Sequence, residues 1–337
     1  MDIGSALARP ARFDPPPPPP EPAPGPRSEL PQPERPSTPY ELPPFPPGLE
    51  PPALPHTDDA GDAERANFTD ADLYGPDGPE PQDIDQDSIG DCYFVATLAA
   101  LANSPEGDAR IEESITYNEE TGTFTVTFYE EGPLGIPVPV QVEVTQDDIQ
   151  DNLERGGGST VDNNGAGPIW PAVMEAAYAK HAAQNATLPE RLAAGVAGIS
   201  EMDLGYQLIE GGKARDALFD LTGTQGTDID NAFVDRWGTG FTMHLINEAL
   251  ADGRSVTLST DPEHDGASED GLADNHVYQV ERVYVDEKTG EVMVELRNPW
   301  ANNNTEGQRN DDPIVTVPLS QITEDGGFEY FNIGPKG

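Results

Sequence analysis

Apolar and polar residues change period several times along this chain, and each change predicts an element. Between Asp91 and Leu101 the residues Phe94, Val95, Leu98 and Leu101 recur at helical spacing, and Asn103-Ser104-Pro105 stops the pattern. Residues 123–129 (TFTVTFY) and 137–144 alternate with period two, which predicts two strands around a Gly-Pro loop. Residues 147–167 are rich in Gly, Asn and Asp and read as a loop. Residues 170–181 (WPAVMEAAYAKH) predict a strong helix with Val173, Met174, Ala177 and Tyr178 on one side. Short helices follow at 204–209 and 214–221, then a longer one over 241–251 that runs out at Gly253. A strand is predicted over 255–259, followed by an acidic loop up to Asn275. Residues 276–285 and 291–300 form the clearest hairpin, turning through Asp286-Glu287-Lys288-Thr289-Gly290. No internal repeat is visible. The order predicts an α+β fold with a helix-led lobe over 78–200 and a strand-led lobe over 201–337.

The first 77 residues follow no such period. Residues 1–55 carry 21 of the 36 prolines and hardly any β-branched side chains. Such a segment buries too little apolar surface to offset its ordering entropy, so 1–77 is expected to be disordered and locally polyproline II. It serves as a stiff spacer, or its Pro36-Ser37-Thr38-Pro39 and Pro44-Phe45-Pro46-Pro47 spacings dock on an SH3-like aromatic groove.

Charge narrows the partners. The chain holds 62 acidic and 18 basic side chains, a net charge of −44. That surface repels nucleic acid and anionic membranes. No apolar run reaches the length of a membrane span, and the N-terminus lacks a signal-peptide pattern. The expected location is therefore the cytoplasm, or outside the cell by a signal-independent route. A single cysteine excludes an intrachain disulfide and a Cys-cluster zinc site. The five histidines show no metal-binding spacing.

The single cysteine, Cys92, stands at a Gly90-Asp91 turn, immediately before the helical period begins. A lone thiol is ordinarily small core filler. In the first turn of a helix it also meets unpaired N–H groups and the positive dipole end, which favour thiolate. Gln86 lies six residues upstream as an amide donor. In the hairpin, a turn centred near Lys288 sets 276 opposite 300 and 278 opposite 298. His276 and Asn298 then share one face, and a slip of one residue would separate them. A His–Asn pair facing a thiol is the arrangement of a cysteine nucleophile with its base and the group that orients the base. Trp300 is placed to shield that pair from water. The same residues are open to a plainer reading, as strand ends and core aromatics.

Gln86-Asp87-Ser88-Ile89-Gly90-Asp91-Cys92-Tyr93-Phe94 resembles the signature of the calpain family. The helix Trp170-Pro171-Ala172-Val173-Met174-Glu175-Ala176-Ala177-Tyr178-Ala179-Lys180 is similar to a second calpain block. Asn275-His276-Val277-Tyr278, Arg297-Asn298-Pro299-Trp300 and Asp325-Gly326-Gly327-Phe328 resemble further blocks, in family order, over about residues 80–334. The resemblance implies a papain-like two-lobe cysteine protease core that acts on protein substrates. It implies Cys92 as nucleophile, His276 as general base and acid, Asn298 as its orienter and Gln86 as oxyanion donor. Gly90, Asp91 and Trp300 would line the cleft, and the acidic loop before His276 would gate it.

Departures from the family pattern bear mainly on calcium. No cofactor is needed for the chemistry, but calpain cores use calcium as a regulator. The matching positions here read Asn304 and Gly327, which leaves Asn304 and Asp325 as candidate oxygen donors. Tyr93 stands where animal calpains usually carry Trp, and Asn275 where they carry Gly. The chain ends three residues after Gly334, so a minimal, bacterial-type member without C2-like or EF-hand domains is expected. Two rival functions are a transglutaminase-type acyl transferase and a non-catalytic calpain-like binding module.

Overall fold

The computed structural model describes residues 67–161, 167–261, 272–304, 310–324 and 328–336. The segment expected to be disordered over 1–77 lies outside these as far as residue 66. Residues 67–77 depart from that expectation: Leu73 is buried, and Phe68 and Tyr74 pack against the same core. Gln146 holds this stretch by its backbone, accepting from Phe68 N at 2.8 Å and donating to Phe68 O at 2.9 Å. A few apolar anchors in an acidic window are invisible to composition.

The first core gathers around two helices, α1 (Cys92–Leu101) and, later in the chain, Trp170–Asn185. Every residue of α1 from Tyr93 to Leu101 is buried. Such a helix sits inside the molecule: its Thr97 hydroxyl donates to Tyr93 O at 2.7 Å, and its alanines at 96, 99 and 100 let neighbours approach closely. α2 (Pro105–Ser114) follows, capped by Ser104, whose Oγ accepts from Gly107 N at 3.1 Å. Strands β1 (Ile115–Asn118), β2 (Thr123–Glu131) and β3 (Pro137–Val144) make an antiparallel sheet in that order. Phe124, Val126 and Phe128 of β2 face the core from it.

The stretch predicted as a loop over 147–167 instead opens with α3 (Gln146–Glu154). Its capping box pairs Thr145 and Asp148. Only Ile149 and Asn152 are buried, too thin a stripe for apolar periodicity to show. The Trp170–Asn185 helix is α4, followed by α5 (Leu188–Ala197), α6 (Glu201–Ile209) and α7 (Ala214–Thr222). Tyr206, Ile209, Ala217, Leu218 and Leu221 belong to the first core, so that core continues past residue 200. Phe94 stacks on Tyr178 with centroids 4.0 Å apart, which ties α1 to α4.

The second core is built on a six-stranded antiparallel sheet. Its strands are β4 (Thr227–Asp230), β5 (Val256–Thr260), β6 (Val277–Val285), β7 (Val292–Arg297), β8 (Ile314–Pro318) and β9 (Phe328–Ile333), in the order β4-β9-β5-β6-β7-β8. α8 (Asn231–Trp237), α9 (Thr239–Ala251) and α10 (Leu319–Glu324) accompany it. Ile246, Leu258, Val294, Leu296, Leu319 and Phe331 fill this core. Val277 at the start of β6 packs into the first core, while Tyr278 packs into the second. The start of β6 therefore lies on the seam between them, against α1. Among the described residues, no helix is long and apolar enough to cross a membrane.

Candidate active site

Cys92 is the first residue of α1. Asp91 caps the helix with its backbone, its carbonyl accepting from Phe94 N at 2.7 Å and Val95 N at 3.2 Å. Its carboxyl accepts from none of the helix N–H groups. The backbone N–H groups of Val277 and Tyr93 instead lie near the half-buried sulfur and favour its thiolate. Burial pushes the thiol up to about 11 against those two donors. The Val277 contact is decisive for geometry, because it brings the sulfur to the residue next to His276.

The hairpin reaches its alignment by way of a bulge. Near the turn, Val285 pairs with Val292 and Arg282 with Glu295. Past a register shift at Glu281, Val280 pairs with Leu296 and Gln279 with Arg297. Continuing the turn-end register would pair 279 with 298 and turn His276 and Asn298 to opposite faces. The shift pairs 278 with 298 instead, which returns both to one face. An ion pair, Arg297 Nε to Glu281 Oε1 at 2.6 Å, holds the bulged residue.

His276 Nε2 lies 2.9 Å from Asn298 Oδ1. That oxygen also accepts from Trp300 N at 3.1 Å, while Asn298 Nδ2 donates to Asn303 Oδ1 at 3.2 Å. The amide oxygen thus faces the ring, Nε2 carries the proton, and Nδ1 keeps its lone pair. The Trp300 ring lies 4.3 Å from the imidazole, centroid to centroid, and Tyr278 meets it edge-on at 4.9 Å. This enclosure leaves His276 only 4 % exposed. Burial draws it down to about 4, with the Asn298 hydrogen bond opposing. Thr260 pins the backbone: its Oγ1 accepts from His276 N at 2.9 Å, and its N–H donates to His276 O at 2.9 Å. Asn275 has φ 50°, a left-handed conformation that glycine and asparagine adopt most readily, so asparagine suits this position.

The other expected site residues divide. Gln86 is buried beside the site, and its backbone N–H donates to Pro299 O at 2.7 Å, linking it to the Asn298–Trp300 segment. Its Nε2 donates to Ile89 O at 2.7 Å and, at a longer 3.3 Å, to Asp91 Oδ1. Gly90 is exposed at the turn, and a Cβ there would meet only ordinary contacts with Glu210. Asp91 does not line a cleft as expected. It is fully buried, because its carboxyl turns inward to Glu175 of α4. Asn304 Oδ1 accepts from Asn310 N at 2.6 Å, closing its own loop. Asp325 and the acidic loop at 262–271 lie outside the described residues. No group of three acidic, imidazole or thiol side chains converges on a cation site among the described residues. Two contributors had no sequence signal of their own: Thr260, distant along the chain, and Glu175, inside a helix that reads as packing.

Fold and site together define an α+β domain of two cores, with a thiol at a buried helix start and an amide-held imidazole on the facing sheet. The family described as calpain family cysteine protease matches residues 64–197 and 197–314, and the chain belongs to that family. It is 30 % identical over 232 residues to the calpain-type cysteine protease DEK1 of Arabidopsis thaliana, covering 66 % of this chain and 9 % of that protein. The rice (Oryza sativa subsp. japonica) calpain-type cysteine protease ADL1 is 29 % identical over 232 residues, 65 % of this chain and 9 % of that protein. The mouse (Mus musculus) calpain-2 catalytic subunit is 25 % identical over 270 residues, 74 % of this chain and 33 % of that protein. The chain thus spans a third or less of the length of these relatives.

Proposed function

We propose that this domain is a cysteine endopeptidase that hydrolyses peptide bonds in protein substrates. The observation that carries the reading is the His276 Nε2–Asn298 Oδ1 bond at 2.9 Å, together with the Val277 backbone lying near the Cys92 sulfur. Burial disfavours an isolated charge on either group. On attack, Nδ1 of His276 takes the Sγ proton as the sulfur bonds to the scissile carbonyl carbon. The carbonyl oxygen becomes an oxyanion, with the Cys92 N–H and Gln86 Nε2 as its donors. Gln86 reaches it by releasing its longer bond, the one to Asp91. His276 then passes its proton to the leaving amine as the C–N bond breaks. Water, deprotonated by the same nitrogen, hydrolyses the thioester and restores the thiol.

The test is hydrolysis of unfolded casein by the full chain, run in parallel with EGTA and with added calcium. Cys92→Ala is expected to abolish turnover, and undiminished turnover in that variant would remove the proposal. Loss of activity in EGTA would assign calcium a regulatory role, with Asp325 and Asn304 the first positions to substitute. Capture of the acyl group by an added amine in preference to water would point to acyl transfer instead.

A further inference from the structure

Asp91 and Glu175 form a buried pair of carboxyls directly behind the nucleophile, and the proteolytic reading does not use it. Both are 0 % exposed, and the two carboxyls lie close enough to act on one another. Their other contacts are unequal. Glu175 Oε2 accepts from Gly158 N at 2.6 Å and from Asn152 Nδ2 at 2.9 Å. The Asp91 carboxyl has a 3.3 Å bond from Gln86 to its Oδ1 and its own backbone N–H nearby. The remaining oxygens, Asp91 Oδ2 and Glu175 Oε1, are buried with no hydrogen-bond donor among the described residues. Two ionised carboxylates in contact, both out of water, repel strongly, so the pair retains one proton. The oxygen with two short donors is the better place for the negative charge, which assigns the carboxylate to Glu175 and the proton to Asp91.

Asp91 is a residue type that normally caps a helix with its side chain. Here the carboxyl is turned toward α4 and accepts from no helix N–H. We propose that Asp91 is a protonated positioning residue: held by Glu175, it fixes the start of α1 without placing a carboxylate beside the Cys92 sulfur. The surroundings are consistent with a single net negative charge on the pair. The groups facing it are the Cys92 thiol, the amides of Gln86 and Asn152, and the Tyr206 phenol. Arg155 stacks on the Tyr206 ring at 4.7 Å, but its charge is taken by Asp151 and Asp203. Burial and the neighbouring Glu175 carboxylate raise Asp91 well above the usual carboxylate range, in the same direction as the donor count. A negative charge on Asp91 acts to raise the thiol. The inference rests on Cys92 as the reactive thiol, but the proton on Asp91 is measurable without any activity.

The experiment compares the full-length wild type with Asp91→Asn, Glu175→Gln and the double variant at neutral pH, each checked for folding by circular dichroism. In the infrared, Asp91→Asn is expected to remove a carboxylic-acid C=O band present in the wild type. Alkylation of Cys92 by iodoacetamide is expected to stay within about twofold in Asp91→Asn. It should slow about tenfold in Glu175→Gln, whose amide donates to Asp91 and leaves it ionised, and recover in the double variant. A wild-type spectrum with no acid band lost on Asp91→Asn would overturn the proposal. So would an Asp91→Asn variant alkylated as slowly as Glu175→Gln. An intact acid band with no loss of casein turnover in Cys92→Ala would leave the shared proton standing and remove only the protease reading.

Discussion

Replacing His276 by glutamine tests the enclosure of the imidazole through stability alone. Glutamine keeps an N–H for Asn298 Oδ1 but has no proton to gain. In the folded protein burial draws His276 from 6.5 down to about 4. Between those values the unfolded chain binds a proton that the folded chain refuses, so wild-type stability falls as the pH drops through that window. The difference is worth about 1.4 kcal/mol for each tenfold. Evaluated at pH 5, the wild type should lose about 2 kcal/mol relative to pH 7.5 from this group alone. His276→Gln should not lose it. The carboxylates titrate alike in both proteins, so the wild-type minus variant difference isolates the histidine. Urea denaturation at the two pH values measures it directly, with slopes compared to establish two-state behaviour. A difference unchanged between pH 7.5 and 5 would refute the argument that Trp300, Tyr278 and burial hold this ring neutral.

Thr260→Val should leave His276 N–H without its 2.9 Å acceptor in a buried site and cost about 1–3 kcal/mol by urea denaturation, while Thr260→Ser should recover most of the loss. If valine is as stable as threonine, the hydroxyl does not hold the His276 backbone. Gly157→Ala would press a methyl group into Asn152 Oδ1 and Glu175 Oε2. It should destabilise by about 1–3 kcal/mol, measured as a lower urea midpoint; an unchanged midpoint would mean the loop yields freely.

Much of this molecule can be read from the chain before any coordinates. The period of residues 91–101 marks a helix that begins at the only cysteine. The 170–181 block marks α4, and the alternation on either side of residues 286–290 marks the β6–β7 hairpin. α3 and the strands at the sheet edge were not legible in the same way. α3 buries only two side chains, and β4 buries one, Ile229, so neither carries enough apolar residues to set a period. The T-x-x-D capping box at Thr145 was the local signal that marked α3.

The chain by itself determined which side chains are available: one thiol, a histidine at the head of a strand, and an asparagine near the end of its partner. Local periodicity is enough for that, because it depends only on neighbours in sequence. Tertiary structure decided the rest. The bulge at Glu281 determines whether His276 and Asn298 share a face, and neither residue reports it. The packing of α1 against the start of β6 brings Val277 to the Cys92 sulfur, across 185 positions of chain. The inward turn of Asp91 depends on Glu175, Asn152 and Gly158, three donors and acceptors from separate segments. In QDSIGDCYF the aspartate before the cysteine, Asp91, reads as part of a turn; only the carboxyl of Glu175 on α4 gives it a buried partner. Charge and hydrogen-bond states are set by what surrounds a group in space, and that surrounding exists only once the chain has folded.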